Sequence, residues 1–215
     1  MRTFNGDGGL LRLSDPVMLR ATEALTAAGI PYIGPAPAVM RVCYDKRAAS
    51  NCVRAAGMDV PADASSFPMV IKPRRGSDSI GVRIAYSGPV PADHLAQELV
   101  IGTEITVAVL HGTVGAPLRI ELPPGSVYSF ARKYLLRPRR VPIVDKPVQD
   151  TALRIAELFG VNWAARIDFI RSAERLVFLE CDVAPLVGAG SAFSDSLAVG
   201  GMPRAEQLRR LILAA

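Results

Sequence analysis

The spacing of apolar positions divides this chain into stretches of two different periods. Over residues 15–29 (DPVMLRATEALTAAG) apolar side chains recur at helical spacing behind Asp15, with Pro16 in the first turn and Gly29 closing the run, which predicts a helix. Ile30 to Ile33 has room for one short strand, and Asp45 to Gly57 (DKRAASNCVRAAG) predicts a second helix with Gly57 at its C-terminal cap. From Pro68 the chain turns strand-rich. PMVIKP, GVRIAYSG and EITVAVLHG are each short, β-branched and bounded by turn residues. Helical spacing returns at 149–160 (QDTALRIAELFG); two strands, VNWAARIDFI and RLVFLECDV, then flank RSAER, and a last helix runs from Pro203 to Leu213. Adjacent hairpins with interspersed helices predict an α+β fold whose antiparallel sheets carry the site. The first forty residues, with one helix and one strand, read as the remnant of an N-terminal lobe.

Side chains alternate between the two faces of a strand, so Arg166 and Asp168 share one face, and Phe178, Glu180 and Asp182 share one face of the next strand. A turn centred on Ala173 sets Arg166 opposite Glu180 and Asp168 opposite Phe178, and all five side chains then share a face. Three carboxylates on an apolar hairpin repel one another and one arginine does not neutralise them, whereas an oxygen-seeking Mg²⁺ would. A hairpin slipped by one residue, or a face open to water, would instead leave the acids merely solvated.

A second constellation is VIKPRRGSDSIGV, a strand, a Gly/Ser loop and a further strand. Glycines let backbone amides approach anionic oxygens, and Lys72 at the end of an apolar strand is costly to bury unless an anion compensates its ammonium. An exposed edge lysine beside an ordinary turn is the competing reading. His94 and His111 sit in loop-like contexts with no nucleophile at a known spacing, and Trp163 reads as core.

Composition narrows the classes. The 215 residues are 50% hydrophobic and 21% charged, with a formal net charge of +5, which excludes a coiled coil, a collagen-like rod and an acidic disordered tail. The basic groups, Arg74-Arg75, Arg137 to Arg140 and Arg209-Arg210, lack interleaved aromatics, so nucleic acid is the least favoured reading and Arg209-Arg210 reads as a solvated helix face. Cys43, Cys52 and Cys181 have no metal-ligand spacing and read as reduced packing residues. With no run long enough for a membrane span and no apolar signal segment, a cytoplasmic protein is expected.

Taken in order, the lysine-bearing strand, the Gly/Ser loop and the acidic hairpin make the chain over residues 30–215 resemble the ATP-grasp superfamily, in its D-alanine–D-alanine ligase branch. The resemblance implies two α+β lobes whose antiparallel sheets sandwich ATP: a small lobe with a flap at 41–98 and a C-terminal lobe with the metal site at 99–215, the N-terminal domain (1–40) being largely absent. It implies that Lys46 in YDKRAASNC, Lys72 in MVIKP and Lys133 in SVYSFARKYL face phosphates, with Ser79, Ile80 and Gly81 in the flap. Gln97, Glu98 and Val100 would line an adenine slot and Glu104 would accept from the ribose. Asp168, Glu180 and Asp182 would bind Mg²⁺ or Mn²⁺, and Arg166, with Lys133, would act in catalysis.

The implied activity is an ATP-dependent carboxylate–amine ligase working through an acyl phosphate, with ATP and a small or carrier-presented acid and amine as partners. Alternatives are a nucleotide-binding subunit that needs a partner for activity, and a homodimer that completes the pocket. Departures from the family pattern are Asp182 where asparagine is usual, Asp78 in place of a flap serine, and LVGAGSAFSD ahead of the Ser196-Leu197 pair that would hold a second substrate's carboxylate. These, with the short N-terminus, argue for a substrate pair other than two D-alanines. Arg137 to Arg140, with Pro138 and Pro142, are expected in a mobile loop closing the site.

Overall fold

Two antiparallel sheets carry the chain in the computed structural model, which describes residues 15–76, 79–122 and 138–213. Helices α1 (Asp15–Ala27), α2 (Pro37–Tyr44) and α3 (Lys46–Ala55) come first. The small sheet follows, with β1 (Met69–Pro73) central between β2 (Arg83–Ala85) and β3 (His94–Glu98). The larger sheet is built from β4 (Thr103–Leu110), β5 (Thr113–Val114), β6 (Leu118–Ile120), β7 (Arg140–Pro142), β8 (Ala164–Arg171) and β9 (Leu176–Asp182). Its order is β7-β6-β4-β8-β9, with β5 also paired to β4. Helix α4 (Lys146–Phe159) precedes β8, and α5 (Ala192–Val199) and α6 (Arg204–Leu213) end the described chain.

The odd and even positions of β4 and β8 have different destinations, and that split places the site. Ile105, Val107, Val109, Ala165, Ile167 and Phe169 enter a core closed by Met40, Cys43, Val53, Val148, Ile155 and Phe159 of α2, α3 and α4. On the opposite face Ala108, Leu110 and Ala164, with Trp163, pack under Phe193, Leu197 and Leu211 of α5 and α6. Those two helices cover only one end, and the polar residues Glu104, Thr106, Arg166 and Asp168 occupy the other. Burial on both faces is why β4 reads as a nearly continuous apolar run.

Several sequence expectations need correction. Ile30 to Ile33 is not a strand, because Pro31 has no amide to give a ladder and the chain passes directly toward α2. Helix α2 was not expected. Its eight residues are too few to show a period, and it is held by burying Met40 and Cys43. His94 opens β3 rather than a loop. Arg140 lies in β7, donating to the Gly190 carbonyl at 2.6 Å and pairing with Asp195 at 2.8 Å, so it is fixed in a sheet; Arg137 lies outside the described residues. Ser196 belongs to α5 and is fully buried, accepting from the Ala108 amide at 2.9 Å and donating to the Ala116 carbonyl at 2.7 Å.

The β8–β9 hairpin differs in register from the expected one, yet the acids still share a face. Its turn is closed between Ser172 and Arg175, so Arg171 pairs with Leu176 and Phe169 with Phe178. A bulge between Asp168 and Phe169 then leaves Leu179 unmatched, and Asp168 lies opposite Glu180 and Arg166 opposite Asp182. The turn displaces the register by one residue and the bulge by one more. Together they restore the parity of Glu180 and Asp182 while sending Phe178 to the core face, where it meets Phe159 and Phe169 at ring-centre distances of 6.1 and 6.5 Å.

Candidate active site

The small sheet delivers one lysine and α3 another. Lys72 lies on the central strand β1 and is 7% exposed, so the edge-lysine alternative is excluded. Among the described residues no side chain takes its ammonium as a hydrogen-bonded or ion-paired partner. Burial, followed by the nearby charge of Lys46, brings its pKa down from 10.5 to about 8, against the opposing pull of Glu180 and Glu104. Lys46, the first residue of α3, is also buried; its ammonium donates to the Gly76 carbonyl and stands 3.8 Å from Glu180. Gly81 has φ of 76°, and a side chain there would meet the Pro73 ring at 3.0 Å, so the stretch entering β2 lies directly on the end of β1.

Beneath these lysines, a cleft between the two sheets is lined by Lys46, Lys72, Ser79, Gln97, Glu98, Val100, Glu104, Asp168 and Glu180. Gln97 is 3% exposed. Its amide nitrogen donates to the Pro61 carbonyl, while its Oε1 has no partner among the described residues. Such a buried, unpaired acceptor is costly until a donor fills it. Glu98 accepts from the Ala62 amide and from Arg175, both at 3.1 Å, which joins the end of β3 to the β8–β9 turn.

The carboxylates meet at Arg166. Its guanidinium lies 3.0 Å from Asp168, 3.4 Å from Glu180 and 3.3 Å from Asp182. Burial works against that charge, but Asp168, Asp182 and Glu180 outweigh it and hold the pKa well above the ordinary arginine value. Arg166, Glu180 and Asp182 also line a second, smaller cavity beside the cleft, and Arg166 and Asp168 a third that reaches Arg140 and Phe193. Sequence reasoning missed Thr106, whose hydroxyl donates to Asp168 Oδ1 at 2.7 Å from directly across the ladder. Its position two residues after Glu104 in an alternating strand was the available signal. Lys133 and Asp78 lie outside the described residues.

No three acids, histidines or cysteines among the described residues converge as a ready-made metal cluster. The donors nevertheless fit Mg²⁺ or Mn²⁺. They are all carboxylate oxygens, and magnesium takes one or two carboxylates together with phosphate and water rather than a complete protein cage. The three acids exceed the charge of Arg166, so the patch stays attractive to a cation.

Among the described residues, Arg209 and Arg210 share Glu206 at 2.7 and 2.6 Å, and Arg74 and Arg75 share Asp45 at 2.8 and 3.3 Å, so each group is tied down by one carboxylate and keeps one net positive charge. Cys43 and Cys181 are buried and Cys52 exposed, all as free thiols. No helix among the described residues is long and apolar enough to cross a membrane.

Known proteins resemble this chain in sequence and in fold. The chain is 26% identical to the D-alanine–D-alanine ligase of Syntrophotalea carbinolica, with 89% of this chain and 72% of that protein covered, and 29% identical to that of Desulforudis audaxviator, with 87% and 74% covered. Its fold superposes on the VanG D-Ala:D-Ser ligase of Enterococcus faecalis with a TM-score of 0.82 at 22% identity, over 99% of this chain and 74% of that one. A D-alanine–D-alanine ligase of Bacillus anthracis complexed with ATP gives 0.78 at 20% identity, over 97% and 78%. A family model described as an ATP-grasp domain matches residues 43–183, from just before the first cleft lysine to just past the last carboxylate, and the chain belongs to the ATP-grasp family.

Proposed function

We propose that this chain is an ATP-dependent ligase that joins a carboxylate to an amine through an acyl phosphate. One observation carries the reading: nine residues picked out from the sequence alone, Lys46, Lys72, Ser79, Gln97, Glu98, Val100, Glu104, Asp168 and Glu180, line one cleft. In this reading the cleft is the nucleotide site, with the base beside Gln97, Glu98 and Val100, the ribose near Glu104, and the phosphates between Lys46 and Lys72. The unpaired Gln97 Oε1 supplies an acceptor suited to an exocyclic amine. Lys133 is proposed as a third phosphate-facing lysine.

Asp168, Glu180 and Asp182 would hold the divalent metal, which when bound neutralises phosphate charge. A carboxylate oxygen of the substrate attacks the γ-phosphorus, and the bond to the ADP oxygen breaks. The amine nitrogen then attacks the acyl carbon, phosphate leaves and the amine loses a proton. Arg166, facing both the acids and the third cavity, would steady charge on the transferred group and on the oxyanion. Acid and amine would meet in that third cavity, under Arg140 and Phe193.

The substrates are proposed to differ from two D-alanines. In support, Ser196 is buried and fully bonded instead of facing the third cavity. The test is ADP release over a panel of acids and amines, with D-alanine alone as one member, beside calorimetry of ATP with and without Mg²⁺. Absence of ATP binding would overturn the reading, and ATP binding without turnover on any pair would favour a nucleotide-binding subunit.

A further inference from the structure

Lys46 and Lys72 bring two ammonium groups into one cleft, close enough for the charge of Lys46 to depress the protonation of Lys72. Like charges so placed push their segments apart, and neither lysine can hold the other. Inside the cleft Glu180, 3.8 Å from Lys46, offsets part of that repulsion, and a second restraint lies just outside it, at Asp45. Its carboxylate is the N-cap of α3, accepting from the Arg47 and Ala48 amides at 3.1 and 3.2 Å and so fixing the first turn, where Lys46 sits. The same two oxygens accept from Arg74 Nε at 2.9 Å each, with Arg74 Nη2 at 2.8 Å and Arg75 Nη2 at 3.3 Å. Arg74 follows β1 immediately, two residues beyond Lys72. The backbones close the link: the Lys46 amide donates to the Arg74 carbonyl at 2.9 Å, and Asp45 and Arg75 form an antiparallel bridge.

We propose that Asp45 is a positioning residue for the cleft, a clamp that joins the start of α3 to the end of β1 and sets the spacing of Lys46 and Lys72 for a polyphosphate. The inference rests on the reading of the cleft as a nucleotide site. Neither Asp45 nor Arg74 lines the cleft, so both act through the lysines. Asp45 is buried and Arg74 partly exposed, which makes the carboxylate the fixed end of the clamp. A bidentate arginine–carboxylate pair is directional, so it holds an angle between the two segments as well as a distance.

The test separates a clamp from a simple helix cap. Asparagine is a good N-cap but lacks the charge, and Arg74→Met cuts the clamp without touching the cap. Affinities for ATP and for adenosine are measured by calorimetry on wild type, Asp45→Asn, Arg74→Met and the double variant, with circular dichroism to confirm folding. Both single variants should bind ATP at least about tenfold more weakly, a loss of 1.4 kcal/mol or more, with adenosine unchanged and the double variant no weaker than either single one. Wild-type ATP affinity in Arg74→Met, or an equal loss of ATP and adenosine, would overturn the clamp. If the wild type binds neither ligand, the nucleotide reading falls first and the clamp with it.

Discussion

Thr106 lies directly across the β4–β8 ladder from Asp168, and its hydroxyl donates to the carboxylate at 2.7 Å. Arg166, two residues before Asp168 on the same strand, donates to both oxygens of that carboxylate, at 3.1 Å to Oδ1 and 3.0 Å to Oδ2. Asp168 is therefore held by two side chains before any ligand arrives. Thr106→Val keeps the shape but removes the donor, and should cost about 1.5–3 kcal/mol in urea unfolding, the range for a hydrogen bond to a charged group. It should also weaken metal-dependent ATP binding, and Thr106→Ser should restore both. Equal behaviour of the valine and serine variants would show that the hydroxyl does not orient Asp168.

Lys72 gives the cleft a pH dependence. Its pKa of about 8 in the folded chain lies below the ordinary 10.5, so between those values the unfolded chain binds more protons and stability contributed by this site rises with pH. Phosphate binding has the opposite sign because it requires the ammonium. ATP affinity should be flat below pH 7 and fall through pH 8 and above by up to about tenfold per unit. Lys72→Arg keeps its charge throughout and should lose the slope. A wild-type profile flat to pH 9.5 would refute the assignment of Lys72 to phosphate.

Phe178 marks the limit of what alternation reveals. The sequence placed it beside the acids, and the bulge at Leu179 turns it into the core. Phe178→Ala should therefore destabilise the fold by about 3–5 kcal/mol, as for a buried phenylalanine. Nucleotide affinity should change little at temperatures where the variant stays folded. Selective loss of ATP binding at wild-type stability would return Phe178 to the site.

Strands β1, β2, β4, β8 and β9, the final helix and the acidic face were legible because each rests on a local period or on a polar residue in an apolar run, whereas β3, β5, β6 and β7 are too short or too polar to show one. Lys72 in PMVIKP and Asp168 in RIDFI are of this kind. Helix α2 was hidden because eight residues show scarcely two turns of period, and α5 because its start follows glycines. The register was hidden because a turn and a bulge are each a one-residue decision with little compositional trace. Asp45 read only as a helix start; nothing local in the sequence shows that Arg74, 29 positions away, shares its carboxylate.

Arg166 offers the sharpest test of the metal assignment, because it holds the place that a cation would share. It is buried with three carboxylates within 3.4 Å of its guanidinium, and among the described residues the other cation paired with these acids is Lys46, which meets Glu180 at 3.8 Å. In Arg166→Met the acids face one another almost unopposed, at a cost of about 3 kcal/mol, as for a broken buried pair. In a chain of this size that lowers Tm by roughly 2–4 °C per kcal/mol. A cation that binds only the folded state recovers stability in proportion to its occupancy. Removing the arginine leaves the acids more negative and should raise that occupancy. Thermal unfolding with increasing Mg²⁺ should therefore raise the Tm of Arg166→Met by more than that of the wild type, while Arg166→Met/Glu180→Gln should lose most of the gain. An equal Mg²⁺ response in wild type and Arg166→Met would mean that Asp168, Glu180 and Asp182 exist to balance the arginine, and that the metal binds elsewhere.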